Sequence, residues 1–168
     1  MSDSGRTERH PALTDELTGL PNRLHFDTVF EVLFATGSRG VPLTVVLLEI
    51  DGFVAWAGKT DRSEVNRVLR LIGSTMVPVV RRSDLVARTD EARFAICLLD
   101  CNMAGAVLVA DRIDGLLDPV REETGLRFSM GAAAFDMDMK RPEDLTGAAD
   151  ESLRVAQAQG GDQMEFRR

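Results

Sequence analysis

The sequence predicts an α+β fold in which helices flank a mainly antiparallel, five-stranded sheet. Residues 41–51 form a nearly unbroken apolar, β-branched run, which is typical of a central strand buried on both faces. Apolar stripes at helical spacing follow at 62–79 and 103–117. Between these two helices, the short apolar runs 84–88 and 93–99 are separated by a charged turn, which predicts a hairpin.

The last part of the chain is predicted to return to the sheet twice. Inward-facing and outward-facing residue types alternate over 125–135, a pattern that predicts a strand. The segment 141–160 begins near Pro142 and ends at Gly160, an asymmetry typical of an α-helix, and residues 162–166 form a short last strand. From the central strand onward, the order βαββαβ predicts a ferredoxin-like core with its helices packed on one face of the sheet.

The first part of the chain is predicted to be less regular. Residues 1–13 are interpreted as a flexible lead-in, and residues 14–168 as a single domain. Thr14 or Asp15 is expected to cap a helix. Apolar residues recurring at helical spacing from 24 to 34 predict the first long helix.

Composition excludes several classes of protein. A net charge of −7 argues against a nucleic-acid partner, because binding phosphates requires a basic face. No apolar run approaches the length that crosses a bilayer, so we expect no membrane segment within this chain. Cys97 and Cys101 lack nearby residues that would complete a metal site, and we interpret them as unpaired thiols of a cytoplasmic protein.

Five segments, in order, resemble the motifs of one family. They read DELTGLPNR at 15–23, EIDGF at 49–53, RRSDLVAR at 81–88 leading to Phe94, FSMG at 128–131 and ADESLRVAQAQGG at 149–161. Together they resemble the GGDEF domain, the family that makes cyclic di-GMP, a bacterial second messenger, from two molecules of GTP. The resemblance covers roughly residues 14–166 and implies a fold of the nucleotidyl-cyclase type.

The resemblance also implies where a cyclase would hold its two Mg²⁺ ions, which need oxygen ligands. One carboxylate position is Glu49, and the other, the third signature letter, is Ala92, which has no oxygen to offer. Asp90 and Glu91 replace two glycines that let the nucleotide lie against the hairpin. Arg93 replaces a glutamate, so the resemblance implies that the Mg²⁺ site is lost.

The positions that would contact GTP differ as well. The phosphate-side lysine is Val54, and the two residues that read the guanine edge are Ala57 and Asn66. A late lysine and arginine correspond to Gln157 and Gly161. A buried base without hydrogen-bonding partners binds far less well. We therefore expect a degenerate, catalytically inactive GGDEF domain that needs no metal cofactor.

Two side issues concern the same region. Asp51, Asp90 and Glu91 could gather as a new carboxylate site for another metal, although a solvated acidic turn is the simpler interpretation. Trp56 is predicted to fill part of the former nucleotide pocket and thereby to oppose GTP binding.

A second family site keeps its residues. Arg81 and Asp84 match the R-x-x-D motif of the inhibitory product site, five residues before the signature, and Arg112 on the following helix completes it. Arginine can grip the O6/N7 edge of guanine or a phosphate, and aspartate can accept from guanine N1 and N2. These residues therefore predict a cyclic di-GMP site. The alternative is structural, since Arg is favourable near a helix C-terminus and Asp is common in turns.

Three functions follow from this sequence. The first is a cyclic di-GMP receptor that signals by forming a homodimer or by contacting a protein partner. The second is a dimerisation or interaction module that needs no nucleotide. The third is a residual diguanylate cyclase with altered metal ligands.

Overall fold

The computed structural model describes residues 10–167, and these contain a five-stranded sheet in the order β2-β3-β1-β4-β5. The strands are β1 Leu43–Asp51, β2 Leu85–Asp90, β3 Arg93–Leu99, β4 Arg127–Ala134 and β5 Met164–Arg167. The pairs β2–β3, β3–β1 and β1–β4 are antiparallel, and β5 runs parallel to β4. The predicted mainly antiparallel sheet is therefore confirmed.

Helices cover the sheet and complete the predicted core, β1-α3-β2-β3-α4-β4. They are α1 Arg23–Gly37, α2 Phe53–Ala57, α3 Arg62–Met76, α4 Met103–Leu116, α5 Asp118–Thr124 and α6 Pro142–Ala158. The sequence does not predict α2 or α5, because each is short and buries a single residue. No helix within residues 10–167 is long and apolar enough to span a lipid bilayer.

The helices lie on both faces of the sheet, which corrects the prediction of a single covered face. Val46, Leu48 and Ile50 of β1 pack with α3 and α4 in one apolar cluster. Val45 and Leu47, which point to the opposite face, pack with α1 and α6 in a second cluster. A strand that is apolar at successive positions must be covered on both sides, and the sequence did not show that α1 and α6 cover the second face.

The chain enters the domain through a structured turn, and the cap of α1 corrects the prediction made for Thr14 or Asp15. Residues 1–9 of the predicted lead-in lie outside the described residues, whereas Pro11–Leu13 form a 3-10 turn. The N-cap of α1 is Asn22, whose Oδ1 accepts a hydrogen bond from the His25 amide at 3.0 Å. This position fits the chemistry of a cap, because a short polar side chain directly precedes the first helical turn.

Asp15 organises the entry turn instead of capping a helix. Its Oδ2 accepts hydrogen bonds from the Thr18 amide at 2.8 Å and from the Thr18 hydroxyl at 2.6 Å. Its Oδ1 forms an ion pair with Arg88 Nη1 at 3.2 Å. Burial alone would raise the pKa of Asp15, but the Thr18 hydrogen bonds and the Arg88 charge together lower it below the ordinary value.

We expect Asp15→Asn to destabilise the fold in a pH-dependent way. A carboxyl whose pKa is lower in the folded state stabilises the fold above its unfolded pKa of about 4, and this contribution is lost as pH falls through the folded value. Discounted for partial exposure, the loss at pH 7 should be about 1 kcal/mol in the free energy of unfolding, fading at more acidic pH. Urea unfolding from neutral to acidic pH measures it. Asp27→Asn, in an exposed pair, is the control, and an equal loss at every pH would contradict the prediction.

Candidate functional site

A cavity of about 440 Å³ brings together the three residues of the predicted product site. Arg81 and Asp84 approach it from the turn before β2, and Arg112 approaches it from α4. Its apolar lining comes from Val79, Leu98, Leu99, Leu108 and Val109. The site thus combines an apolar surface with two guanidinium groups in a protein of net charge −7.

Asp84 fixes the geometry of this turn. Its Oδ2 accepts a hydrogen bond from the Arg81 amide at 2.7 Å, and its Oδ1 accepts one from the Leu99 amide at 3.1 Å. Asp84 therefore ties the turn to the end of β3. The residues Arg81 and Arg112 are exposed, and within residues 10–167 neither guanidinium forms an ion pair. Two unpaired cations beside one cavity can bind an anion or the acceptor edge of a base.

Cys101 lines the same cavity, a feature that the sequence did not reveal. It is half-buried, whereas Cys97 on β3 is fully buried, and both are free thiols as predicted. Burial, with the nearby Asp84 charge, raises the pKa of Cys97 to about 12. Burial and Asp84 also raise the pKa of Cys101, with Arg81 opposing them. A thiol reagent should therefore reach Cys101 and leave Cys97 unmodified.

The signature hairpin is dominated by an ion pair between Arg93 and Glu49, which lie opposite each other on β3 and β1. Arg93 contacts Glu49 Oε2 through Nε at 2.7 Å and through Nη2 at 2.6 Å. Its Nη1 donates to Asp150 Oδ1 at 2.8 Å, and Gln157 Nε2 donates to Glu49 Oε1 at 2.9 Å. Burial alone would lower the pKa of Arg93, but Glu49 and Asp150 raise it.

These contacts decide whether the residues fit the Mg²⁺ ions that the resemblance implies. Both oxygens of Glu49 already accept hydrogen bonds from nitrogen donors, Ala92 has no side-chain oxygen, and its carbonyl oxygen accepts from the Ile50 amide at 3.0 Å. Across residues 10–167, no group of three Asp, Glu, His or Cys side chains is placed to hold a metal ion. The residues present at the hairpin therefore do not fit a divalent cation.

The alternative carboxylate cluster does not form. Asp51 Oδ2 accepts hydrogen bonds from the Ser129 hydroxyl at 2.8 Å and from the Asp162 amide at 2.9 Å, so Asp51 is tied to β4 and the turn before β5. Asp90 and Glu91 are exposed at the hairpin tip, where Asp90 Oδ1 accepts from the Glu91 amide at 2.8 Å. The solvated acidic turn is the arrangement observed.

A larger cleft of about 890 Å³ lies beside α2 and α3. Val54, Ala57 and Asn66, at the positions assigned by resemblance to GTP contacts, all line it. Trp56, which the sequence analysis expects in the former nucleotide pocket, does not line this cleft. It packs instead beside Phe53, with ring centroids 6.1 Å apart, since the short helix α2 directs it to the core.

Sequence reasoning also missed the role of Asp150. It was visible only as a letter of the last motif, yet it contacts Arg93 and also Arg154, whose Nη2 lies 2.9 Å from Asp150 Oδ2. The available signal was the opposite charge of two residues that each stand in a family motif. Nothing local in the sequence shows that α6 brings Asp150 to the hairpin.

Fold and site define an α+β domain in which a hairpin and its preceding turn carry the functional positions. The chain belongs to the GGDEF family: the family model described as diguanylate cyclase, GGDEF domain, matches residues 12–163. The response regulator PleD of Caulobacter vibrioides is 30% identical over 157 residues, which are 89% of this chain and 35% of PleD. The chain spans less than half of the length of the curated relatives it matches first.

Solved structures share this fold. The coiled coil and GGDEF domain of DgcB from Caulobacter crescentus, in complex with c-di-GMP, matches with a TM-score of 0.82 and 21% identity, covering 93% of this chain and 86% of that one. The diguanylate cyclase SiaD of Pseudomonas aeruginosa, in complex with its activator SiaC, matches with a TM-score of 0.84 and 24% identity, covering 93% and 62%. At these identities the likeness shows the fold alone.

Proposed function

We propose that this chain is a catalytically inactive GGDEF domain that acts as a receptor for cyclic di-GMP. The observation that carries the proposal is the convergence of Arg81, Asp84 and Arg112 on one cavity. Both arginines are unpaired among the described residues, and Asp84 holds the turn in place. Unpaired guanidinium groups suit a receptor site, because they can bind a ligand without first breaking an internal ion pair.

The ligand chemistry matches the cavity. Cyclic di-GMP offers two phosphates and two guanines, and each guanidinium can grip a phosphate or the O6/N7 edge of a guanine. Asp84 uses one lone pair on each oxygen for backbone amides, so a further pair can accept from guanine N1 or N2. The apolar lining from Leu98 to Val109 can contact the base faces. DgcB, a relative in fold, was solved in complex with c-di-GMP.

Loss of cyclase activity rests on the hairpin. Glu49 Oε2 contacts two nitrogens of Arg93 and Glu49 Oε1 accepts from Gln157, so a metal ion would have to displace the Arg93 guanidinium to be held by both oxygens. Ala92 lacks an oxygen ligand, and Val54, which is 79% exposed, offers no charge to a phosphate. Two Mg²⁺ ions would normally activate the attacking hydroxyl and neutralise the phosphate, and these residues provide neither ion with a shell.

Calorimetric titration with cyclic di-GMP tests the receptor. We expect saturable heat with cyclic di-GMP and at least tenfold weaker binding of cyclic di-AMP, because adenine lacks the O6 acceptor and the N1–H and N2 amino donors of guanine. Bound ligand should also slow alkylation of Cys101, which lines the cavity. An absence of heat together with unprotected Cys101 would contradict the proposal. Incubation with GTP and Mg²⁺ should give no cyclic dinucleotide, and any such product would support the residual-cyclase alternative.

A nucleotide-independent interaction module is the second candidate. Leu108 and Leu116 of α4 are 70% and 47% exposed, and each lies about one turn from Arg112 on the same face of the helix. Exposed apolar side chains on one helix face are typical of contact surfaces. A homodimer that forms equally with and without cyclic di-GMP, and dissociates in Leu108→Glu, would favour this candidate.

A further inference from the structure

The network around Arg93 satisfies every carboxylate oxygen within it. Glu49 Oε2 is bound by Arg93, and Glu49 Oε1 is bound by Gln157. Asp150 Oδ1 is bound by Arg93, and Asp150 Oδ2 is bound by Arg154. One guanidinium therefore bridges a carboxylate on the sheet and a carboxylate on α6.

This bridge lies in a partly buried place. The side chains of Arg93, Glu49 and Asp150 are 31%, 26% and 22% exposed. Two carboxylates held close together away from water repel each other, unless a cation stands between them. Arginine suits this position because it is always charged and its planar fork can serve two carboxylates at once.

We propose that Arg93 is a built-in counter-cation that joins the hairpin to α6 by bridging the Glu49 and Asp150 carboxylates, a charge that a divalent ion could supply in its absence. The inference goes beyond receptor function and does not depend on cyclic di-GMP. It follows from the misfit between these residues and a metal site, together with the geometry of the bridge. Its failure would leave the Arg81 cavity unaffected.

Thermal unfolding of Arg93→Gln tests the proposal. Without the Arg93 guanidinium, no cation stands between Glu49 and Asp150, only the exposed Arg154 still pairs with Asp150, and the melting temperature should fall by roughly 4–8 °C. Millimolar CaCl₂, compared with NaCl of equal ionic strength, should restore at least half of that loss, because Ca²⁺ accepts flexible carboxylate shells. The unmodified protein should shift by less than about 1 °C with the same salt, since its carboxylates are occupied.

Matched variants separate charge from packing. Arg93→Lys keeps the charge and should recover part of the stability without any response to CaCl₂. Arg154→Gln removes an arginine that contacts the same Asp150 but is 77% exposed, so it should change the melting temperature by less than about 2 °C.

The double variant Glu49→Gln with Arg93→Gln keeps the test decisive if Arg93→Gln does not fold. Removing both charges should recover at least half of the stability lost in Arg93→Gln, and CaCl₂ should have no effect. The proposal would be overturned if Arg93→Gln melted at the temperature of the unmodified protein. It would also be overturned if CaCl₂ raised the melting temperatures of Arg93→Gln and of the unmodified protein equally. A double variant no more stable than Arg93→Gln would also overturn it.

Discussion

Gly131→Ala is expected to destabilise the domain by about 3 kcal/mol or more, because a Cβ added there meets closer atoms than at any other helix or strand glycine that the structure describes. Gly131 lies on β4 where α6 crosses the sheet. An added Cβ would overlap the Leu153 amide nitrogen and lie 2.5 Å from Leu153 Cα and 2.6 Å from the Ala149 carbonyl oxygen. These are backbone atoms, which cannot rotate away, so the whole helix would have to move off the sheet.

Urea unfolding followed by circular dichroism measures this loss. Gly147→Ala is the matched control. Gly147 lies on α6, the helix that packs over Gly131, and an added Cβ there meets no atom within 4 Å. Alanine in place of an open helical glycine should stabilise the domain by about 0.5–1 kcal/mol. Equal stability of Gly131→Ala and the unmodified protein would contradict the close helix–sheet contact.

Much of the fold can be predicted because its signals are local. The apolar run of β1 and the stripe of α3 show their type directly. The short helices α2 and α5 give no such signal, since each has a single buried residue, and periodicity needs several. The cap of α1 was misplaced although Asn22 follows Pro21 and directly precedes the helix, which is a typical start signal.

The residues of the candidate site also divide into those that can be located from the sequence and those that cannot. Arg81, Asp84 and Arg112 can be located from motif spacing, because the turn, the hairpin and α4 follow one another along the chain. The bridge from Arg93 to Asp150 joins residues that are 57 positions apart, and only the packing of α6 on the sheet brings them together. The position of Trp56 is hard to predict for a related reason: besides Phe53, it packs against an apolar cluster whose residues come from distant parts of the chain.

The hairpin and the cavity differ in how their charged side chains are paired. At the hairpin, Arg93 and Glu49 neutralise each other, so neither side chain offers an unpaired charge to a ligand. At the cavity, Arg81 and Arg112 are exposed and stay unpaired among the described residues, so both guanidinium groups are available to an anion. This contrast makes the cavity, rather than the hairpin, the place where a nucleotide should act.

Arg81→Ala and Arg112→Ala are each expected to weaken cyclic di-GMP binding tenfold or more, with the melting temperature unchanged. A charge-assisted hydrogen bond contributes about 1.5–3 kcal/mol, and 1.4 kcal/mol corresponds to a tenfold change in affinity. Both side chains are exposed and unpaired within residues 10–167, so their removal should not disturb the fold. Calorimetry on the purified variants gives the dissociation constants.

Arg82→Ala is the control that separates recognition from overall charge. Arg82 is exposed and adjacent to Arg81, but it does not line the cavity. Its removal subtracts the same charge, so affinity should stay within about twofold if the ligand is gripped by specific guanidinium groups, because exposed charges are screened within about 10 Å. If Arg82→Ala weakened binding as much as Arg81→Ala does, the ligand would be responding to the overall positive charge of this surface. That result would contradict specific recognition of cyclic di-GMP by the cavity.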